Sequence, residues 1–237
     1  MAGNISGPAD WDRVKLQLLN QNYHFSLHGG EPLLAPISHI EEVFRFGHEQ
    51  FGRNGIQTNG TLITDEHIRL FQMYKVGVGI SIDGPVNLNR IRQSACSTDT
   101  DALTRKSLEA IEKLCEAKVV PSLIVTVHKL NASLSARRDM FDWFSWLEKI
   151  GVYYVNLHML EDEFGMESLA MSERENIGFF SDVYHWSRGR RIQFQPFQDI
   201  ATQLTQKEPG KTSCIWHACD PLTTRALRRT LNSNPDE

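Results

Sequence analysis

Gly29, Gly30 and Glu31, followed by Pro32, form the segment of this chain best suited to chemistry. Two glycines directly after the strand-like run 24–28 permit backbone conformations and a close ligand approach that side chains would forbid. Glu31 then stands at the mouth of that strand, and Pro32 stiffens its exit. Two further segments follow later strand-like runs. Gln57-Thr58-Asn59-Gly60-Thr61 carries amide and hydroxyl groups around a turn. Ser81-Ile82-Asp83-Gly84-Pro85 presents a hydroxyl and a carboxylate two residues apart. Arg90 and Arg92 come shortly after, and the planar fork of either suits a carboxylate partner. His28, His128 and His158 close three strand-like runs, where imidazole serves as base, ligand or satisfied core donor. Glu161, Asp162 and Glu163 follow the last of these, as an acidic loop. Cys96, in a loop rich in Ser, Thr and Asp, and Cys115, on a helical run, read as ordinary thiols.

The elements that must position these groups alternate along the chain. Strand-like runs at 24–28, 55–58, 76–82, 119–127, 152–158 and 192–194 are separated by amphipathic helical runs. The helices are expected over 10–21, 38–51, from a Thr64 cap to about 74, 102–117, 135–150 and from Ser172 to about 188. Beyond Pro196 the pattern weakens, and Lys207-Glu-Pro-Gly-Lys211 reads as a linker. Strand–helix alternation at this spacing implies crossovers and hence a parallel sheet. The strand ends carry polar residues two apart, therefore on one face: Ser26 and His28, Gln57 and Asn59, Ser81 and Asp83, Thr126 and His128, Asn156 and His158. That recurrence points to a wet inner surface at the carboxyl end of a barrel-like sheet, where such folds keep their active sites. The alternation opens on a helix, as though a first strand and its loop were missing.

Composition narrows the partners. The 237 residues carry 25 basic and 29 acidic side chains, a net charge of −4, which argues against nucleic acid as the main ligand. No apolar run approaches the roughly 18 residues needed to span a membrane. The amino terminus has no basic-then-apolar leader pattern. Four scattered cysteines do not make a disulfide framework, so the expected setting is the cytoplasm with reduced thiols.

Taken in order, Gly29-Gly-Glu-Pro32, Thr58-Asn-Gly-Thr61 and Ser81-Ile-Asp-Gly-Pro85 resemble the radical S-adenosylmethionine (radical SAM) superfamily. Within it the chain is similar to peptide- and protein-modifying maturases that carry an added SPASM-type cysteine-rich region. Ser122–His128 and Cys214–Thr224 also resemble segments of such maturases, and the likeness runs over roughly residues 10–225. The resemblance implies an α/β fold, a partial (β/α)6 TIM-like barrel of the radical SAM type with its first strand absent. It implies S-adenosyl-L-methionine as cofactor and a peptide as substrate. Gly29, Gly30 and Glu31 would face the amino group of the methionine moiety. Ser81 and Asp83 would lie near its ribose and carboxylate, and Arg92, in competition with Arg90, would pair with that carboxylate. Cys214 and Cys219, four residues apart around His217, match cysteines that hold auxiliary iron–sulfur clusters, although two thiolates do not complete a four-ligand site.

One family feature is absent from these residues. The superfamily generates a 5′-deoxyadenosyl radical at a [4Fe–4S] cluster held by a CxxxCxxC loop, and no such triad occurs among the 237 residues. The expectation is an amino-terminally truncated member, inactive by itself, with residues 1–206 forming the partial barrel and 207–237 a linker and the start of a SPASM-like tail. Two other readings remain open on sequence: a degenerate, non-catalytic module that binds a peptide or nucleotide, and a different (β/α) enzyme using its polar rim for acid–base chemistry.

Overall fold

The structure, a computed structural model, describes residues 11–21, 25–92, 99–160 and 165–205. Six strands, β1 (Ser26–Leu27), β2 (Asn54–Thr58), β3 (Val76–Ser81), β4 (Ser122–Val127), β5 (Tyr154–Met159) and β6 (Gln193–Phe194), form one sheet in sequential order. Every adjacent pair is parallel. Parallel neighbours require crossovers, and these are supplied by α2 (Ile37–Phe51), α3 (Asp65–Met73), α4 (Thr100–Glu116), α6 (Arg137–Ile150) and α7 (Glu173–Ser187). A helix α1 (Trp11–Gln21) precedes the sheet, a short α5 (Lys129–Ala132) follows β4, and α8 (Gln195–Thr205) follows β6.

A single face of this sheet carries the core. Ile56, Val78, Ile80, Leu123, Val125, Val155 and Leu157 are buried there with Phe44, Phe71, Leu114, Phe144 and Phe179 from the helices. The alternate residues form the other face, on which Ser26, Gly77, Ser122, Tyr154 and His158 are exposed and Gln57, Ser81, Thr126 and Asn156 are half-buried. Strand order 1 to 6 with same-handed crossovers puts the helices on one side, so the opposite face is left concave and polar. This is the expected α/β barrel-like architecture, present as an open six-stranded sheet.

The helices end where their residues dictate. Thr64 caps α3 in a reciprocal box with His67, and Ser172 does the same for α7 with Glu175. α2 and α6 stop at Gly52 and Gly151, both left-handed, with φ of 69° and 97°. Several sequence expectations need adjustment. The helix expected from 135 begins at Arg137, and the separate α5 was not foreseen. Where the pattern weakens beyond Pro196, the chain instead forms α8; proline in a first turn forfeits no helical bond, so it starts the helix rather than stopping it. The first strand pairs over two residues only, and position 24 lies outside the described residues.

Phe144 sits at the centre of an aromatic cluster, 4.9 Å from Phe194 and 5.9 Å from Trp186 between ring centres, and is fully buried. Phe144→Ala is expected to lower unfolding free energy by about 3–5 kcal/mol, read from the urea midpoint.

Candidate functional site

β1 runs into Gly29 and Gly30, whose φ values of 91° and 56° are left-handed. A Cβ on either would meet no atom within 4 Å, so it is backbone conformation rather than space that calls for glycine. Glu31 then caps the 3₁₀ turn Pro32–Leu34 by accepting from Leu33 N at 3.2 Å. The same carboxylate reaches the end of β2. Thr58 Oγ1 donates to its Oε1 at 2.6 Å and Asn59 N to its Oε2 at 2.9 Å. Thr58 Oγ1 in turn accepts from Gly60 N, and Asn59 Oδ1 from Thr61 N and Oγ1. Two motifs that are separate in sequence are one hydrogen-bonded unit.

A second bridge joins β2 to β3, where Gln57 Nε2 donates to Ser81 Oγ at 2.8 Å. The Gln57 side chain lies over its ladder partner Gly79, whose Cβ would fall 2.0 Å from Oε1. Gly79 is therefore glycine because glutamine occupies that space. Sequence reading missed this role; the only signal was a Gly opposite a long amide in register.

The third bridge joins β3 to β4 and is buried. Asp83 is fully inaccessible. Its Oδ1 accepts from Thr126 N at 2.7 Å and pairs with Arg92 Nη2 at 2.8 Å, while Arg92 Nη2 also donates to Thr126 Oγ1 at 3.1 Å. Asn89 Oδ1 accepts from Asp83 N, and Asn131 Nδ2 donates to the main-chain oxygens of Asp83 and Thr126. His128, also fully buried, caps α5: its Nδ1 accepts from Leu130 N at 3.2 Å, and its Nε2 lies 4.0 Å from Asp83 Oδ2. Of the two arginines, Arg92 enters the cluster and Arg90 is exposed. Asn89 and Asn131 were not foreseen, although Asn131 stands three residues after His128, at the spacing of a capping box.

Gly29, Gly30, Glu31, Ser81, Asp83 and Arg92 thus all lie at the carboxyl ends of β1–β3 or in the loops just beyond. Of the alternating polar pairs, Ser26, Gln57, Ser81, Thr126 and Asn156 keep to the concave face. Asp83 and His128 leave it, because the chain turns inward past the strand ends and buries them. Below the rim the concave face holds a groove of about 330 Å³ whose lining includes Ser26, Gln57, Gly77, Gly79, Ser122 and Tyr154. His28 and His158 are exposed. Cys115 is buried on α4, and burial pushes its thiol up to about 11, which leaves it a poor ligand or nucleophile. Cys96, Glu161, Asp162, Glu163, Cys214, His217 and Cys219 lie outside the described residues. Among the described residues no group of three His, Cys, Asp or Glu side chains could hold a metal, and no helix is long and apolar enough to cross a membrane.

Burial lowers the pKa of His128; the Asp83 carboxylate opposes that shift and Arg92 adds to it. Burial lowers His67 in the α3 capping box as well. Both imidazoles bind a proton less readily when folded, so the unfolded chain takes up protons first as the pH falls below about 6.5. Stability should be level above that pH and decline between it and the lowered folded-state values. Urea midpoints at pH 7.5 and 5.5 check this, and His128→Gln should shrink the difference.

An open, all-parallel α/β sheet with helices on one face and a polar rim at its carboxyl strand ends defines a (β/α) barrel-like protein. No family model matches the chain. It is 39% identical over 214 residues to the cysteine-type anaerobic sulfatase-maturating enzyme of Clostridium novyi, covering 84% of this chain and 55% of that protein. Against the enzyme of the same name from Clostridium perfringens it is 32% identical over 203 residues, covering 79% and 53%. Among solved structures, native anSMEcpe with bound AdoMet and the Kp18Cys peptide matches with a TM-score of 0.66 at 20% identity, over 85% of this chain and 57% of that one. The chain is a homologue of the anaerobic sulfatase-maturating enzymes, and the radical SAM resemblance of its motifs is borne out. It spans about half the length of the curated relatives it matches.

Proposed function

We propose that this chain is the S-adenosylmethionine-binding part of a radical SAM maturase acting on a peptide or protein. What supports the reading is the rim itself: three bridges tie the carboxyl ends of β1–β4 into one polar surface whose remaining capacity suits the cofactor. A carboxylate offers about four lone-pair sites. Glu31 uses three, on Leu33 N, Thr58 Oγ1 and Asn59 N, and keeps one on Oε2 for an ammonium proton. Ser81 Oγ accepts from Gln57, so its own proton is free to donate to a ribose oxygen. Arg92, with 29% of its side chain exposed, offers its guanidinium to the methionine carboxylate. Asp83 touches no ligand in this scheme; buried behind Arg92, it acts through it. Given one electron from a [4Fe–4S] cluster, for which these 237 residues hold no CxxxCxxC triad, the cofactor would supply hydrogen-abstracting radical chemistry. The groove below the rim would receive the substrate segment; that a similar structure holds a bound peptide supports a peptide as substrate.

Cys214 and Cys219 fit the same proposal as ligands toward an auxiliary cluster, and a reducing, cytoplasmic setting is part of it. The 237 residues contain no CxxxCxxC triad. By themselves they are therefore expected to bind the cofactor without cleaving it, and no 5′-deoxyadenosine should form after iron–sulfide reconstitution under reductant. Isothermal titration with S-adenosylmethionine tests the binding. Gly30→Val, which forces a β-branched residue to φ 56°, should weaken it about tenfold. Glu31→Gln, which removes the ammonium partner, should weaken it by a similar factor, about tenfold. Unchanged affinity in both would reduce the Gly29–Glu31 turn to a structural element.

A further inference from the structure

Three polar atoms of the buried cluster, Asp83 Oδ2, His128 Nε2 and Arg92 Nε, are inaccessible and make no hydrogen bond among the described residues. Asp83 and His128 are both 0% exposed. The other ring nitrogen of His128 is committed, because Nδ1 accepts from Leu130 N. A neutral imidazole whose Nδ1 accepts must carry its proton on Nε2. That N–H stands 4.0 Å from Asp83 Oδ2. The main-chain N–H of His128 is held by Asn131 Oδ1, and Asn131 Nδ2 holds the main-chain oxygen of Asp83. The backbones on either side of the gap are therefore fixed.

We propose that His128 is a positioning residue for Arg92: its Nε2–H steadies the second oxygen of Asp83, so that the first stays turned toward Arg92 and holds the guanidinium at the end of β4. A carboxylate anchored at one oxygen only can rotate and release its partner. With its second oxygen facing the His128 N–H across 4.0 Å, an electrostatic contact rather than a hydrogen bond, it keeps the first as a steady acceptor, and Arg92 Nη2 lies between that acceptor and Thr126 Oγ1. Charge balance agrees. Neutral His128 leaves one buried anion facing one cation, whereas an imidazolium would add a second cation beside Arg92, and burial already disfavours it. The functional consequence rests on the reading that Arg92 meets the cofactor carboxylate; the grip on Arg92 does not.

The test uses the whole chain. Long-range ¹H–¹⁵N NMR at pH 7 should report His128 as the neutral Nε2–H tautomer, and the Nδ1–H tautomer or an imidazolium would overturn the proposal without any variant. Two substitutions then separate positioning from capping. His128→Asn keeps an acceptor for Leu130 N and loses the donor facing Asp83; His128→Gln keeps a donor at the Nε2 end and loses the cap. Exchange of the Arg92 Nε–H with water should quicken about tenfold in His128→Asn and stay within about twofold of wild type in His128→Gln. The reverse order, or no change in either, overturns the proposal. S-adenosylhomocysteine and 5′-methylthioadenosine, which lacks the amino-acid moiety, serve as ligands. His128→Asn and Arg92→Ala should each weaken the first about tenfold and leave the second within about twofold. Altered Arg92 exchange with unaltered S-adenosylhomocysteine affinity in both variants would uphold the positioning role and overturn the cofactor reading of Arg92.

Discussion

A carboxylate taken out of water has to be met by charge and by hydrogen bonds, and Asp83 imposes that requirement on the whole carboxyl end of the sheet. Its Oδ1 is met by Arg92, from the loop after the Val86–Asn89 turn, and by Thr126 N, from β4, while His128, from the cap of α5, faces its Oδ2 at 4.0 Å without a hydrogen bond. The main chain at Asp83 is held as well, by Asn89 on one side and Asn131 on the other. Satisfying one buried charge thus sets the path of the loops after β3 and β4. It also draws Arg92, and not Arg90, into the cluster.

Glu31 shows the opposite arrangement. It is half-buried and not matched by any cation in the hydrogen bonds it makes; its three donors are a hydroxyl and two main-chain N–H groups. Such a carboxylate fixes the loop after β1 against the end of β2 and still has capacity for a cationic ligand. The two acidic residues of the rim therefore divide the work by burial. The inaccessible one organises protein, and the accessible one is left to meet something else.

The same division runs through the sheet. Its covered face buries Ile56, Ile80, Leu123, Val125 and Leu157 against helices, while the concave face keeps serines, glycines, Gln57 and Asn156. Homology to the anaerobic sulfatase-maturating enzymes covers about half of those proteins.

Local pattern alone determined much of this. The period-two and period-3.6 runs defined six strands and the main crossover helices, Thr64 and Ser172 marked helix starts, and Gly29-Gly30 marked a place for backbone conformations that side chains forbid; each depends on residues close together in the chain. The ordered motifs also identified the kinship. Only the tertiary structure decided which polar residues reach solvent and which do not. Asp83 and His128 have the same alternation as Ser81 and Thr126, yet the chain turns inward just beyond the strands and buries the second member of each pair. The joining of Glu31 to Asn59, of Gln57 to Ser81 and of Asp83 to Arg92 and Thr126 depends on strand order and register. No local pattern encodes those, because they arise from pairing segments tens of residues apart. Likewise α8 formed where the helical signal faded after Pro196, since Pro196 falls in its first turn, where no N–H is needed.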